Sequence, residues 1–192
     1  ADPSDERWNG GSIGPAEDGR IKPDLAAYYD KTQTTRGASG YTLDFGGTSG
    51  ATPIVAGHLG LLLQLWTDGV FGNPLRNPGG DRFSNRPHAS MGKALAIHSA
   101  RQYSFTGASH NLARVHQGWG FPNVKDLHEI GANLLAVDET EALPTGGSRT
   151  YYFPVQVGQR EFRVTMVYSE PPGLPASNRQ LVNDLNLKVT AP

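Results

Sequence analysis

Residues 51–66, ATPIVAGHLGLLLQLW, form a nearly continuous apolar run, and no other stretch limits the fold so tightly. The run is too long for an ordinary strand. It falls short of the ~20 apolar residues that cross a bilayer, and it carries His58 and Gln64. A helix buried on most of its sides fits. Pro53 agrees with a helix start close by, because proline is tolerated in a first turn, where its missing N–H has no partner anyway. The helix then begins near Ser49, which stands at its positive end.

Ser49 is flanked by Gly46, Gly47, Gly50 and Ala51, so nothing bulky lies next to its hydroxyl. Two readings follow. A serine at a helix start is an ordinary N-cap. A nucleophilic serine needs room for a tetrahedral intermediate and N–H donors for its oxyanion, and a helix N-terminus supplies those donors. Two hydrolase classes fit a serine on such a turn. The α/β-hydrolase elbow reads G-x-S-x-G and requires an acid and a histidine downstream. Here Ala51 stands where the last glycine should be, and Asp126 and His128 are too close in sequence to make a good pair. The other class has the order Asp, His, Ser.

Along the rest of the chain, residues 1–20 read as loop, Ile21–Tyr28 as a short strand, 29–40 as loop and Tyr41–Phe45 as a second strand. Residues 67–90 are rich in Gly, Asn, Pro and Arg and read as a long loop or insertion. Met91–Arg101 has helical spacing, residues 102–123 are irregular, and Val124–Leu135 reads as another short helix. After about residue 136 the texture changes. Thr150–Val157, Phe162–Tyr168 and Leu185–Val189 alternate as strands do, with a Pro-rich turn between the last two, which suggests an antiparallel β-sandwich cut short. Charge is balanced, 17 Lys plus Arg against 18 Asp plus Glu, with no basic stripe, so nucleic acid is not an expected partner. The chain has no cysteine, which excludes disulfides and thiolate metal sites. Its start, ADPSDERWNGG, has no basic and apolar leader pattern and no Met, and reads as a processed or excised piece.

Gly47-Thr48-Ser49-Gly50-Ala51-Thr52-Pro53-Ile54-Val55-Ala56-Gly57 resembles the serine signature of the subtilases, the subtilisin-like (S8) serine peptidases, G-T-S-x-A-x-P-x-V-A-G, at every fixed position. Lys22-Pro23-Asp24-Leu25-Ala26-Ala27 is similar to the K-P-D-[VIL]-x-A strand that precedes the serine in that family. Gln117-Gly118-Trp119-Gly120 is similar to its G-W-G turn. Residues 165–173 and 181–187 resemble the C-terminal β-sandwich of some bacterial subtilases. The resemblance implies an α/β fold, a partial subtilisin-like domain at 1–136 with a parallel sheet and a central buried helix. It implies part of an antiparallel, jelly-roll-like β-sandwich at 137–192. It also implies that Ser49 is the nucleophile of a secreted endopeptidase acting on protein or peptide substrates, with its backbone N–H as one oxyanion donor, no cofactor for the chemistry and a structural calcium as an option. No membrane contact is expected.

In that family the base histidine and its aspartate precede the serine, yet no histidine occurs before Ser49, and the family's asparagine oxyanion motif is missing too. His58 is about 13 Å along the helix from Ser49 and about half a turn away in direction. His88, His98, His110, His116 and His128 read as loop or surface residues, and none has an acid spaced to orient it. The chain is therefore expected to lack protease activity alone and to need the missing N-terminal part of the catalytic domain. The alternative is a pseudoprotease or binding module that keeps the serine loop for its fold. Asn183 and Asp184 are candidate calcium ligands or a turn pair. Asp2, Asp5 and Glu6 are a candidate cation site or a solvated tail. Trp119 is expected to plug the core, and Thr48 to order the serine loop.

Overall fold

The computed structural model describes residues 11–103, 114–140, 142–178 and 180–191. The chain first forms a hairpin, β1 (Thr32–Arg36) and β2 (Gly40–Phe45), paired antiparallel with Thr34 opposite Thr42 and Arg36 opposite Gly40. Three threonines suit β1 to a pleated strand, and Gly37, at φ +61°, turns the chain between the strands. Helices follow: α1 (Thr48–Thr67), α2 (Ala89–Ser99), α3 (Arg114–Gln117) and α4 (Val124–Glu129), with a 3₁₀ turn at Gly131–Asn133.

The apolar run is a helix, as its pattern requires, and Thr48–Thr67 contains it. Its end is closed by glycine. Gly69, at φ +71°, donates to Trp66 O at 3.0 Å, and Val70 donates to Leu65 O at 3.0 Å, the paired bonds that end a helix on a left-handed residue. The core lies where α1, α2 and α4 meet: Leu62, Trp66, Phe71, Met91, Leu95, Ala96 and Leu127. Leu62 and Leu127 are each 1 % exposed.

Several expectations need correction. Pro53 is the sixth helical residue, in the second turn, so Ser49 O lacks the N–H it would otherwise receive from four residues on. The helix is covered on one side along its second half: among the described residues Leu62 and Trp66 are buried toward α2 and α4, while Leu59 and Leu61 stand exposed. Residues 29–40 hold β1 instead of loop. The second helix begins at Ala89, two residues early, and the fourth stops at Glu129. Residues 21–28 form no strand; Ala26 N instead bonds Gly120 O at 3.0 Å. The only sheet among the described residues is the antiparallel hairpin, and no parallel sheet is found among them.

Residues 68–88 form a loop, slightly shorter than the 67–90 expected, and it is tied internally. Asn85, 4 % exposed, accepts from Asn77 N at 2.9 Å and donates to Asn77 O at 2.9 Å and Asp81 O at 3.1 Å. Among the described residues beyond 141 no strand is paired. The expected strands 150–157, 162–168 and 185–189 therefore lie unladdered, and Tyr152 is 92 % exposed. A strand needs a partner edge for its backbone groups, and none of these segments supplies one to another.

Candidate active site

Ser49 is the second residue of α1 and is exposed. Gly47 caps the helix at φ 84°, ψ 176°, a conformation that needs glycine, and no side chain caps it. Gly50 N and Ala51 N both turn back to Gly47 O, at 2.8 and 3.4 Å. Among the described residues no bond is formed by the N–H groups of Thr48 and Ser49 or by the Ser49 hydroxyl. Ser49 is thus not the N-cap. It stands one step inside the helix with unused donors beside it, where the helix dipole favours negative charge.

The glycines around it are there for fit. A Cβ on Gly50 would lie 3.3 Å from Thr32 Oγ1 and 3.7 Å from Phe45 Cδ1, so the hairpin packs directly on the first turn of α1. A Cβ on Gly46 would meet Tyr29 O at 3.1 Å. Behind residues 23–29 lies the Gly118-Trp119-Gly120 turn. Trp119 N donates to Asp24 O at 2.9 Å, and a Cβ on Gly118 would collide with Pro23 O and Asp24 O. The two sequence motifs, far apart in the chain, are one packed unit. Trp119 itself is no core plug: it is 39 % exposed, and Arg114 stacks 3.7 Å above its ring.

Asp24 joins this unit to α2. Its carboxylate meets Lys22 Nζ at 2.6 Å and Lys93 Nζ at 3.2 Å. Burial disfavours its charge, but the two ammonium groups outweigh burial and hold it below the usual carboxylate range.

No histidine among the described residues bonds Ser49. His58 Nδ1 turns back to Ile54 O at 2.8 Å on its own helix. His98 faces Thr165 Oγ1 at 3.0 Å. His128 is exposed and lines a shallow groove with Leu61 and Leu65, His116 is half-buried in α3, and His110 lies outside the described residues. His88 does have an acid: its Nδ1 is 2.9 Å from Asp138 Oδ2, with Arg76 3.6 Å from the same oxygen. Sequence reasoning missed this pair because fifty residues separate its members and only the folded loop joins them. It is an imidazole oriented by a carboxylate, but Asp138 lines a pocket of about 230 Å³ with Trp66. Trp66 is seventeen residues along α1 from Ser49, a rise of about 25 Å. The pair cannot reach the serine.

Asn183 is occupied. Its N–H and side-chain amide donate to Glu170 at 3.0 and 3.2 Å, and Tyr168 OH donates to its carbonyl at 3.0 Å. Among the described residues no three His, Asp or Glu side chains converge as metal ligands. Asp2, Asp5 and Glu6 lie outside the described residues.

The model of the subtilase family matches residues 2–120, which contain both the serine helix and the Gly-Trp-Gly turn. The chain belongs to the subtilase family. It is also similar to two Dictyostelium discoideum proteins named serine protease/ABC transporter B family proteins. The tagA protein is 26 % identical over 93 % of this chain and 11 % of its own length. The tagD protein is 27 % identical over 93 % of this chain and 13 % of its own. The chain thus spans about an eighth or less of the length of these relatives. No solved structure matches it. No helix among the described residues is long and apolar enough to cross a membrane.

Proposed function

We propose that this chain carries the nucleophile of a subtilisin-type serine endopeptidase and that Ser49 is that nucleophile. The observation that carries the reading is the exposed hydroxyl of Ser49 on a glycine-capped helix start, with the free N–H groups of Thr48 and Ser49 beside it. In the proposed reaction Ser49 Oγ attacks a peptide carbonyl as a base takes its proton. The carbonyl oxygen gains negative charge next to the helix N-terminus, the amine leaves with a proton, and water hydrolyses the acyl-enzyme. No cofactor is needed, because nucleophile, base and donors are all amino-acid groups.

The base and its aspartate are proposed to come from residues outside these 192, since no described histidine bonds Ser49 and none precedes it in sequence. The exposed Leu59 and Leu61 support the same reading, because a helix this apolar is normally covered on both sides. Residues 1–136 would be the C-terminal portion of the catalytic domain, completed by a parallel sheet from the remainder. Residues 137–192 would contribute strands to a β-sandwich of the kind carried by bacterial-type subtilases. The proposal includes protein or peptide substrates and an extracellular location, both resting on the family resemblance.

Fluorophosphonate labelling tests the reading. The expected result is an adduct on Ser49 in the full-length protein and none in residues 1–192 alone. An adduct on the short chain would place the base within it. No adduct on either would establish a pseudoprotease that keeps the loop for folding.

A further inference from the structure

The segment 159–168 touches the helical part through a small polar cluster at the end of α2. Arg163 Nη1 donates to His98 O at 2.8 Å and to Ala100 O at 3.4 Å, carbonyls at a helix end that lack helical N–H partners. Two residues on, Thr165 Oγ1 lies 3.0 Å from His98 Nδ1. Burial alternates along the segment: Arg163, Thr165 and Val167 are partly covered, while Phe162, Val164 and Met166 are exposed. The segment thus meets the end of α2 through two of these partly covered residues, Arg163 and Thr165, both polar.

The charged groups around His98 come from three elements. Arg101 follows α2 and is drawn to Asp126 of α4, 3.7 Å away. Glu161 and Arg163 come from the tail and bond each other at 2.8 Å. Burial, and then the Arg101 charge, push the imidazole below its usual range, while Glu161 pulls the other way.

We propose that His98, Thr165 and Arg163 form a pH-sensitive latch that holds residues 159–168 on the C-terminal end of α2 and loosens when His98 takes a proton.

The docked segment favours neutral His98. Once the segment leaves, the ring meets water while Arg101 stays beside it, so it rises toward, and at most to, its ordinary value of about 6.5. The docked state then binds fewer protons. Docking is at full strength above about pH 6.5 and weakens as pH falls through that value. Between pH 7.5 and 5.5 the docking constant drops by at most about tenfold, one decade for the unit of pH below the free pKa. Arg163 does not titrate in this range, so it keeps part of the contact at the lower pH.

Tryptic cleavage after Arg163 reads the latch, because a guanidinium engaged on His98 O is not free to enter the trypsin pocket. The full-length protein carrying Ser49→Ala is digested at pH 7.5 and 5.5. Cleavage at Arg163 is divided by cleavage at the exposed Lys188 in the same digest, which cancels the pH dependence of trypsin. The expected ratio rises several-fold at pH 5.5, up to about tenfold, when cleavage follows the open population. His98→Gln keeps a hydrogen-bonding side chain without a titrating one, and should give the same ratio at both pH values. An unchanged ratio in the parent, or a step that persists in His98→Gln, overturns the proposal. Should that variant fail to fold, NMR titration of His98 in the parent and in Arg163→Ala, which loosens the segment, decides: a higher pKa in the variant supports the latch, and an equal or lower one overturns it.

Discussion

The two ends of α1 are built on opposite plans. At its start the cap is a glycine, the next two residues are exposed, and the first N–H groups are unused. At its finish Leu62 and Trp66 are 1 % and 3 % exposed, the last carbonyls are closed by Gly69 and Val70, and Asn73 donates to Trp66 O at 3.1 Å. On the proposed reading, the helix is anchored at the end away from the nucleophile and left open where a substrate would approach. Stability and activity should therefore separate along its length.

Ser49→Ala is the sharpest test of that separation. If Ser49 is the proposed nucleophile, the variant should lower kcat of the full-length protein by about 10⁶-fold, the scale on which loss of a triad nucleophile is felt. The same variant should leave the urea midpoint unchanged, because the hydroxyl makes no bond that its loss could break. A midpoint shift as large as that of a core variant would abolish the contrast between the two ends.

Trp66→Ala reverses the pattern. It empties a site among Phe71, Met91 and Leu95 and should cost about 3–5 kcal/mol, seen as a lower urea midpoint. Where the variant is still folded, Ser49 should label at the parent rate.

How much of this was legible in the sequence follows the range of the forces involved. The apolar run fixed α1, because sixteen residues of one character leave few options. The GTSGATP pattern marked an open turn at Ser49, because glycine spacing reports local room, and that residue is indeed exposed. What stayed hidden depends on contacts between distant segments. The β1 strand was read as loop because Thr32–Arg36 is polar, and it forms only by pairing with β2. The His88–Asp138 pair depends on how the 68–88 loop folds back. In the tail, the alternation survives as alternate burial over residues 162–167, but what it predicted was a ladder, and a ladder takes a second strand. Trp119 looked like a core residue from its type alone, and Arg114 decided otherwise.

Gly118→Ala sharpens the comparison from the supporting side. At φ +62° a side chain is strained, and the new Cβ would collide with the carbonyls of Pro23 and Asp24. Destabilisation of about 2 kcal/mol is expected from that strain. Residues 23–29 run from this turn to Gly46, so the displacement should reach the serine loop. Labelling of Ser49 in the full-length protein should slow even below the unfolding midpoint, unlike in Trp66→Ala.

The smallest effect is expected at Asp24, whose backbone holds the turn and whose carboxylate holds Lys93 of α2. Asp24→Asn removes two ion pairs from a side chain that is 34 % exposed, so solvent screening keeps the loss under about 1 kcal/mol. Its pH dependence has a definite sign. The folded carboxylate titrates below its ordinary value of about 3.9, so its contribution is present above that pH and fades as pH falls through the folded pKa. Urea midpoints of parent and variant should therefore differ slightly at pH 7 and converge in acid, and added salt at pH 7 should narrow the same gap. A gap that persists in acid would mean that Asp24 acts by shape rather than charge. The link between the Gly-Trp-Gly turn and α2 would then rest on backbone packing alone.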